Sequence, residues 1–165
     1  MHVNIAGPML VNSACGKDYL YVIVDDFTRA VHVRPLRLKS DAVEAFKSFK
    51  AVDENESGKE IQEVLMDNAC ELCLGKMGDL CKQEGIKLHT MVPYRPASNG
   101  VAERTIRVLT SVVRVTLRDP DYLWAEAFSV ATYVHNRTST RVLEGLTPFH
   151  CAMGSQVRKE PQAAC

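Results

Sequence analysis

Two carboxylates carry the first chemical signal in this chain. Asp67 closes the apolar run "IQEVLMD" and is followed by Asn68. Glu103 sits in the first turn of a helical pattern that opens after "PYRPASNG", with 35 residues between the two acids. A carboxylate that enters a loop just off a strand end is a frequent position for a site in α/β sheets, although Asp-Asn also begins an ordinary turn. Glu103 heads a line of polar residues. At about 100° per residue, Arg107, Thr110, Arg114 and Arg118 fall within about 60° of it. Such a line sets cations along one helix face, as contact with a phosphate backbone requires. It is also what a solvated helix face carries, with a Glu103–Arg107 pair four residues apart contributing a few tenths of a kcal/mol. A capping box would need Ser or Thr three residues before Glu103, where Gly100 stands. Val101, Val108, Leu109, Val112 and Val113 fall on the opposite half and are expected to face a sheet.

The cysteines offer a weaker pattern. "CELC" places Cys70 and Cys73 at metal-ligand spacing, with Cys81 and His89 downstream. A structural zinc site calls for a second close pair, and the second half is stretched here. Buried free cysteine is the commoner use of such residues. With no basic region followed by a long apolar run at the N-terminus, the six cysteines read as reduced. The expected location is intracellular, nuclear or cytoplasmic.

These groups need a scaffold, and 165 residues suffice for one domain with a sizeable core. "HVNIA" (2–6), "DYLYVIVDDFT" (18–28) and "AVHVRPL" (30–36) read as three strands, the last two a hairpin. A helix follows, with Ser40 as its N-cap, Asp41 suiting the positive dipole end, and Val43, Phe46 and Phe49 at helical spacing. "NESGK" (55–59) reads as a turn, 61–67 as a strand, 75–85 as a helix stopped by Gly85, and 86–92 as a strand. Helices are expected over about 101–117 and 122–136, ended by "GLTPF". An antiparallel meander followed by alternating helix and strand predicts an α/β fold with helices packed on a mixed sheet. The expected core runs over 1–150, with a loose tail over 151–165. The 20 basic and 20 acidic residues cancel, so any nucleic-acid contact must be a local patch. The longest apolar runs are strand-sized, so no membrane partner is expected.

The stretches "HVNIAGPM", "YVIVDDFTRAVHV", "VLMDNACEL", "VPYRPASNGVAERTIRVL", "LWAEAFSVATYVHNRTST" and "GLTPF" together resemble the catalytic core of a retroviral-type integrase, most like the copia group of retrotransposons. They cover nearly the whole chain. The resemblance implies an RNase H-like fold, here a mixed five-stranded sheet with helices on both faces. It implies DNA integration, in which element ends are processed and transferred into target DNA with two magnesium or manganese ions. Several carboxylates must hold such a pair of cations about 3.5–4 Å apart, and hard oxygen ligands suit these metals. On this resemblance Asp67 is the second acid and Glu103 the third, and Arg95, Asn99, Arg104, Arg107 and Arg114 face nucleic acid. DNA is the implied partner, with a homodimer as a further one.

The first acid departs from the pattern. The family carries it on the first strand as His, one residue, Asp, then shortly Gly-Pro; "HVNIAGP" has Asn4 there. An amide oxygen can touch a cation but brings no negative charge, so metal affinity and turnover are expected to fall. Asp25 and Asp26, the nearest other acids, are expected to be structural. Ala69 and Cys70 replace the glycines usual after the second acid, and "RDPDYLW" is a shortened connection. The chain is expected to be a core cut from a longer polyprotein. Four readings follow: an active transferase, an impaired remnant that binds nucleic acid, another RNase H-like nuclease, or a protein-interaction module anchored by the Trp124 helix. For Trp124 itself, core packing is the favoured role.

Overall fold

The continuous apolar run of β2 (Tyr19–Val24) sets the architecture, because both of its faces are buried. Tyr21 and Ile23 enter one core, and Leu20, Val22 and Val24 enter the other. The computed structural model describes residues 1–66, 71–90, 100–117 and 121–153. β1 (His2–Ala6) pairs antiparallel with β2, and β2 pairs antiparallel with β3 (Val31–Leu36). β4 (Glu63–Met66) joins β1 in parallel, and β5 (Lys87–Thr90) joins β4 in parallel. The sheet order is β3-β2-β1-β4-β5, the expected mixed five-stranded sheet.

Helices cover both faces. α1 (Ala42–Ser57) and α2 (Glu71–Gln83) supply Ala45, Phe46, Met77, Leu80 and Cys81 to the core that contains Val3 and Met66. α3 (Gly100–Thr116) and α4 (Trp124–Arg137) supply Leu109, Val113, Trp124 and Phe128 to the opposite core. A short α5 (Pro148–Ala152) packs on α4. Each fully buried Phe, Leu or Val contributes about 1.5–3 kcal/mol by leaving water, so the two cores fix the layers. Among the described residues no helix is long and apolar enough to cross a membrane.

Several boundaries differ from the sequence expectation for local reasons. Ser40 is not the N-cap. It lies within a 3-10 turn (Lys39–Asp41), and the Asp41 carboxylate instead accepts the Leu38 N–H at 3.1 Å. α1 continues through most of "NESGK" and stops at Gly58, whose φ of +66° suits a residue without Cβ. β4 starts at Glu63 because Ile61 N–H is taken by the Glu54 carboxylate at 2.9 Å. β2 stops at Val24 because Asp25 begins the turn. "GLTPF" does more than end a helix. Thr147 caps α5 by accepting the His150 N–H, with Pro148 at the first helical position.

The outer edge of the sheet is guarded. The Asn136 side chain accepts the Val31 N–H at 2.9 Å and donates to the Val31 carbonyl at 2.8 Å, standing in for a neighbouring strand. Strand alternation puts Pro35, which has no N–H, on the same outward-facing set.

Candidate active site

Asn4 lies mid-strand on β1, half-buried, directly opposite Val22. Val22 belongs to the core against which α3 packs, so Asn4 is on the α3 face of the sheet. The parallel β1–β4 register ends with Val3 beside Met66, one residue short of Asn4 on one strand and of Asp67 in the sequence. Asp67, Arg95, Asn99 and Arg118 lie outside the described residues, as does the loop that contains Arg95 and Asn99.

α3 begins at Gly100 and brings Glu103 into its first turn, exposed to solvent. A carboxylate there is favoured by the helix dipole, by about 0.3–1 kcal/mol. The Glu103–Arg107 pair is not formed. Glu103 makes no hydrogen bond or ion pair with any other described residue, and its oxygens are free to meet a cation. Arg107 and Arg114 are exposed on the same line. Arg104 is turned back, its Nε donating to the Gly100 carbonyl at 2.7 Å. Thr105, Thr110, Ser111 and Thr116 donate their hydroxyls to carbonyls four residues back, so along this helix the arginines are what faces outward for a phosphate.

The buried face of α3 is rotated from the expected one. Ala102, Leu109 and Val113 are buried with Ile106 and Leu117 half-buried beside them, whereas Val108 is 50% and Val112 41% exposed. The small Ala102 and β-branched Ile106 complete a stripe with spacing of three and four that counting valines misses.

Asp25 and Asp26 are both held by the β2–β3 turn. Asp25 Oδ2 accepts the Thr28 N–H at 3.0 Å and the Thr28 hydroxyl at 2.6 Å. Asp26 accepts from Arg29 Nη1 at 2.7 Å and lies 3.6 Å from His2 Nε2. Burial holds the His2 pKa below its ordinary value, with Asp26 acting in the opposite direction. His2 Nδ1 and Arg29 Nε are buried without a partner in this turn. The structural role expected for Asp25 and Asp26 is thus met by this network, whose signal in the sequence is the Asp-x-x-Thr spacing of residues 25–28.

Trp124 is a core residue, 6% exposed, and its Nε1–H donates to the Val11 carbonyl at 2.9 Å, tying down the segment after β1. It cannot anchor a partner, and the exposed large apolar residues of α4 are Val130, Tyr133 and Val134. Cys81 is buried in the α1–α2 core, where burial raises its thiol pKa, while His89 is exposed beside Glu63. Those two residues of the weak metal-ligand pattern therefore serve different surroundings, and Cys81 is the buried free cysteine that the sequence favours. Cys70 lies outside the described residues, as does the side chain of Cys73.

Residues 7–96 match the family described as "Integrase core domain". The chain belongs to the integrase core family. This integrase core is 33% identical over 141 residues to the retrovirus-related Pol polyprotein from transposon TNT 1-94 of Nicotiana tabacum, covering 84% of this chain and 11% of that one. It therefore spans about a tenth of that relative's length. The simian T-cell lymphotropic virus intasome, solved in complex with a PP2A regulatory subunit, superposes with a TM-score of 0.69 at 20% identity, over 99% of this chain and 57% of that chain. The catalytic core domain of BIV integrase superposes with a TM-score of 0.63 at 20% identity, over 92% and 93%. These two likenesses carry the RNase H-like fold expected from the sequence.

Integrases of this family use divalent metal ions. Among the described residues no three His, Cys, Asp or Glu side chains come together to hold one. Of the three residues expected to hold the ions, Asn4 and Glu103 are described, and Asp67 lies outside the described residues.

Proposed function

We propose that this chain is an integrase core for DNA integration whose phosphoryl-transfer centre is impaired by Asn4. The reading rests on one observation: β1 presents an amide, not a carboxylate, on the sheet face covered by α3, whose first turn carries the free Glu103. In this reading Asp67 and Glu103 are the surviving acids. With Asn4 the centre carries one negative charge fewer than three acids would provide. Magnesium or manganese would then be held weakly, because a bridging carboxylate is the ligand an amide replaces least well. Arg107 and Arg114, with Arg95, Asn99 and Arg104, would contact the phosphate backbone of DNA, positioning it without reading sequence. A nuclear or cytoplasmic location accords with that substrate.

The test is strand transfer by the purified chain with magnesium or manganese. Wild type is expected to be nearly inactive, and Asn4→Asp to raise the rate by roughly two orders of magnitude. Full activity that Asn4→Asp leaves unchanged would refute the impairment.

A second reading, a remnant that binds nucleic acid or protein without catalysis, is favoured by the outward Val130, Tyr133 and Val134 of α4. A second copy of the chain is the partner this reading names. Asn4→Asp failing to restore transfer, together with retained DNA binding, would favour it.

A further inference from the structure

A groove of about 670 Å³ opens past the His2 end of β1, between the C-terminal half of α1, the β2–β3 turn and the start of β4. Neither Asn4 nor Glu103 lines it. Its size is that of clefts that hold ligands, about 300–1,000 Å³. The described side chains around it carry four carboxylates, Asp25, Asp53, Glu60 and Glu63, against one cation, Lys59. Two of the four are engaged. Asp25 accepts from Thr28, and Glu63 lies 3.4 Å from Lys87 and 3.8 Å from His89. Asp53 and Glu60 form no ion pair among the described residues. Asp53 is half-buried, and burial together with the like charges of Asp25, Glu56 and Glu54 pushes its carboxyl pKa up. A half-buried carboxylate among like charges is stabilised by a cation brought to it.

The groove also has aromatic walls. Phe27 lines it, stands 80% exposed and belongs to neither core. Phe49 packs edge-on against His32 at a centroid distance of 4.7 Å, and both rings are part of the lining. Rings beside carboxylates fit the aliphatic stem of Arg or Lys, whose charged head can also stack on a ring face. The same carboxylates repel a phosphate backbone, so charge selects against nucleic acid here and for a basic protein segment.

We propose that this groove binds a short basic segment of a partner protein, with apolar residues between its Arg or Lys side chains. One cationic head meets Asp53 and a second meets Glu60, while the apolar side chain between them lies on the Phe27 ring. Protein and nucleic acid are thereby received on separate surfaces, an acidic one here and the exposed arginines along α3. The proposal is independent of the catalytic reading, which rests on Asn4 and Glu103.

Fluorescence anisotropy of a labelled, end-blocked hexapeptide alternating arginine and valine, titrated with the full chain, tests it. Saturable binding is expected, weakened about tenfold in Asp53→Asn/Glu60→Gln and about threefold in Phe27→Ser. Citrulline in place of arginine keeps the shape without the charge and is expected to abolish binding. The denaturant midpoint of Asp53→Asn/Glu60→Gln is expected to stay at or above that of wild type, because the change removes like charges, so its weaker binding is not a loss of fold. No saturable binding by wild type would overturn the proposal, as would equal affinity in Asp53→Asn/Glu60→Gln or for the citrulline peptide. Spermine displacing the peptide at equal concentration would overturn a protein segment as the occupant. A wild-type dimer in sedimentation that the same double variant dissociates, with no peptide bound, would overturn the partner and assign the groove to a second copy.

Discussion

The β2–β3 turn and the first turn of α3 both present acids near the surface, yet they spend them differently. In the turn, Asp25 is held by two donors of Thr28 and Asp26 by Arg29, so these carboxylates shape the chain. At the start of α3, Glu103 has no hydrogen bond or ion pair among the described residues and stands in solvent on a helix face with exposed arginines. An acid committed to its own backbone is unavailable to a cation, whereas a free acid at a helix start is available and costs the fold nothing to keep so. The contrast is the reason Asp25 and Asp26 are left out of the proposed centre.

The contrast can be broken by substitution. Asp25→Ala is expected to cost about 1–3 kcal/mol, because it leaves the Thr28 donors without their acceptor. Glu103→Gln is expected to stay within about 0.5 kcal/mol. Denaturant midpoints of the two variants measure this, and a larger loss for Glu103→Gln would reverse the assignment.

Acidification probes the same turn through His2. Its folded-state pKa lies below the ordinary 6.5, so the unfolded chain takes up a proton first. Stability is therefore expected to fall as pH drops below about 6.5 towards the lower folded-state value. The half-buried His135, whose pKa burial also lowers, acts in the same direction. His2→Gln should flatten the slope between pH 7 and 5; an unchanged slope would remove His2 from the account.

The smallest expected effect lies along α3. Arg107→Ala and Arg114→Ala should each lower the slope of log affinity for DNA against log salt by about one, with little change in stability. Slopes equal to wild type would take the arginine line out of DNA binding.

Much of this arrangement was legible in the sequence. β1 was bounded correctly because "HVNIA" is stopped by Gly7-Pro8, and Glu103 was placed in a first turn because Gly100 precedes a clear helical period. The misses have local causes. Glu54 and Asp41 reach backbone N–H groups that decide where β4 and α1 begin, and a side chain seven residues away leaves no period to read. α5 announced itself through Thr147-Pro148, a cap followed by a first-turn proline, but the pair was read as a stop. The buried stripe of α3 was misjudged by one face because Ala102 and Ile106, not Val108 and Val112, meet α4 and the sheet. Asn4 does lie on the first strand and Glu103 in a first helical turn, while the absence of the Glu103–Arg107 pair and the turn of Arg104 back to Gly100 depend on rotamers that spacing does not specify.

The central claim is that Asn4 deprives the centre of a charge that Glu103 alone does not replace. A manganese titration of wild type, Asn4→Asp and Asn4→Asp/Glu103→Gln, followed by electron paramagnetic resonance of the free ion, tests it most directly. The account predicts no saturable binding by wild type at millimolar metal, saturable binding by Asn4→Asp, and its loss in the double variant. Wild type binding manganese as tightly as Asn4→Asp would contradict it.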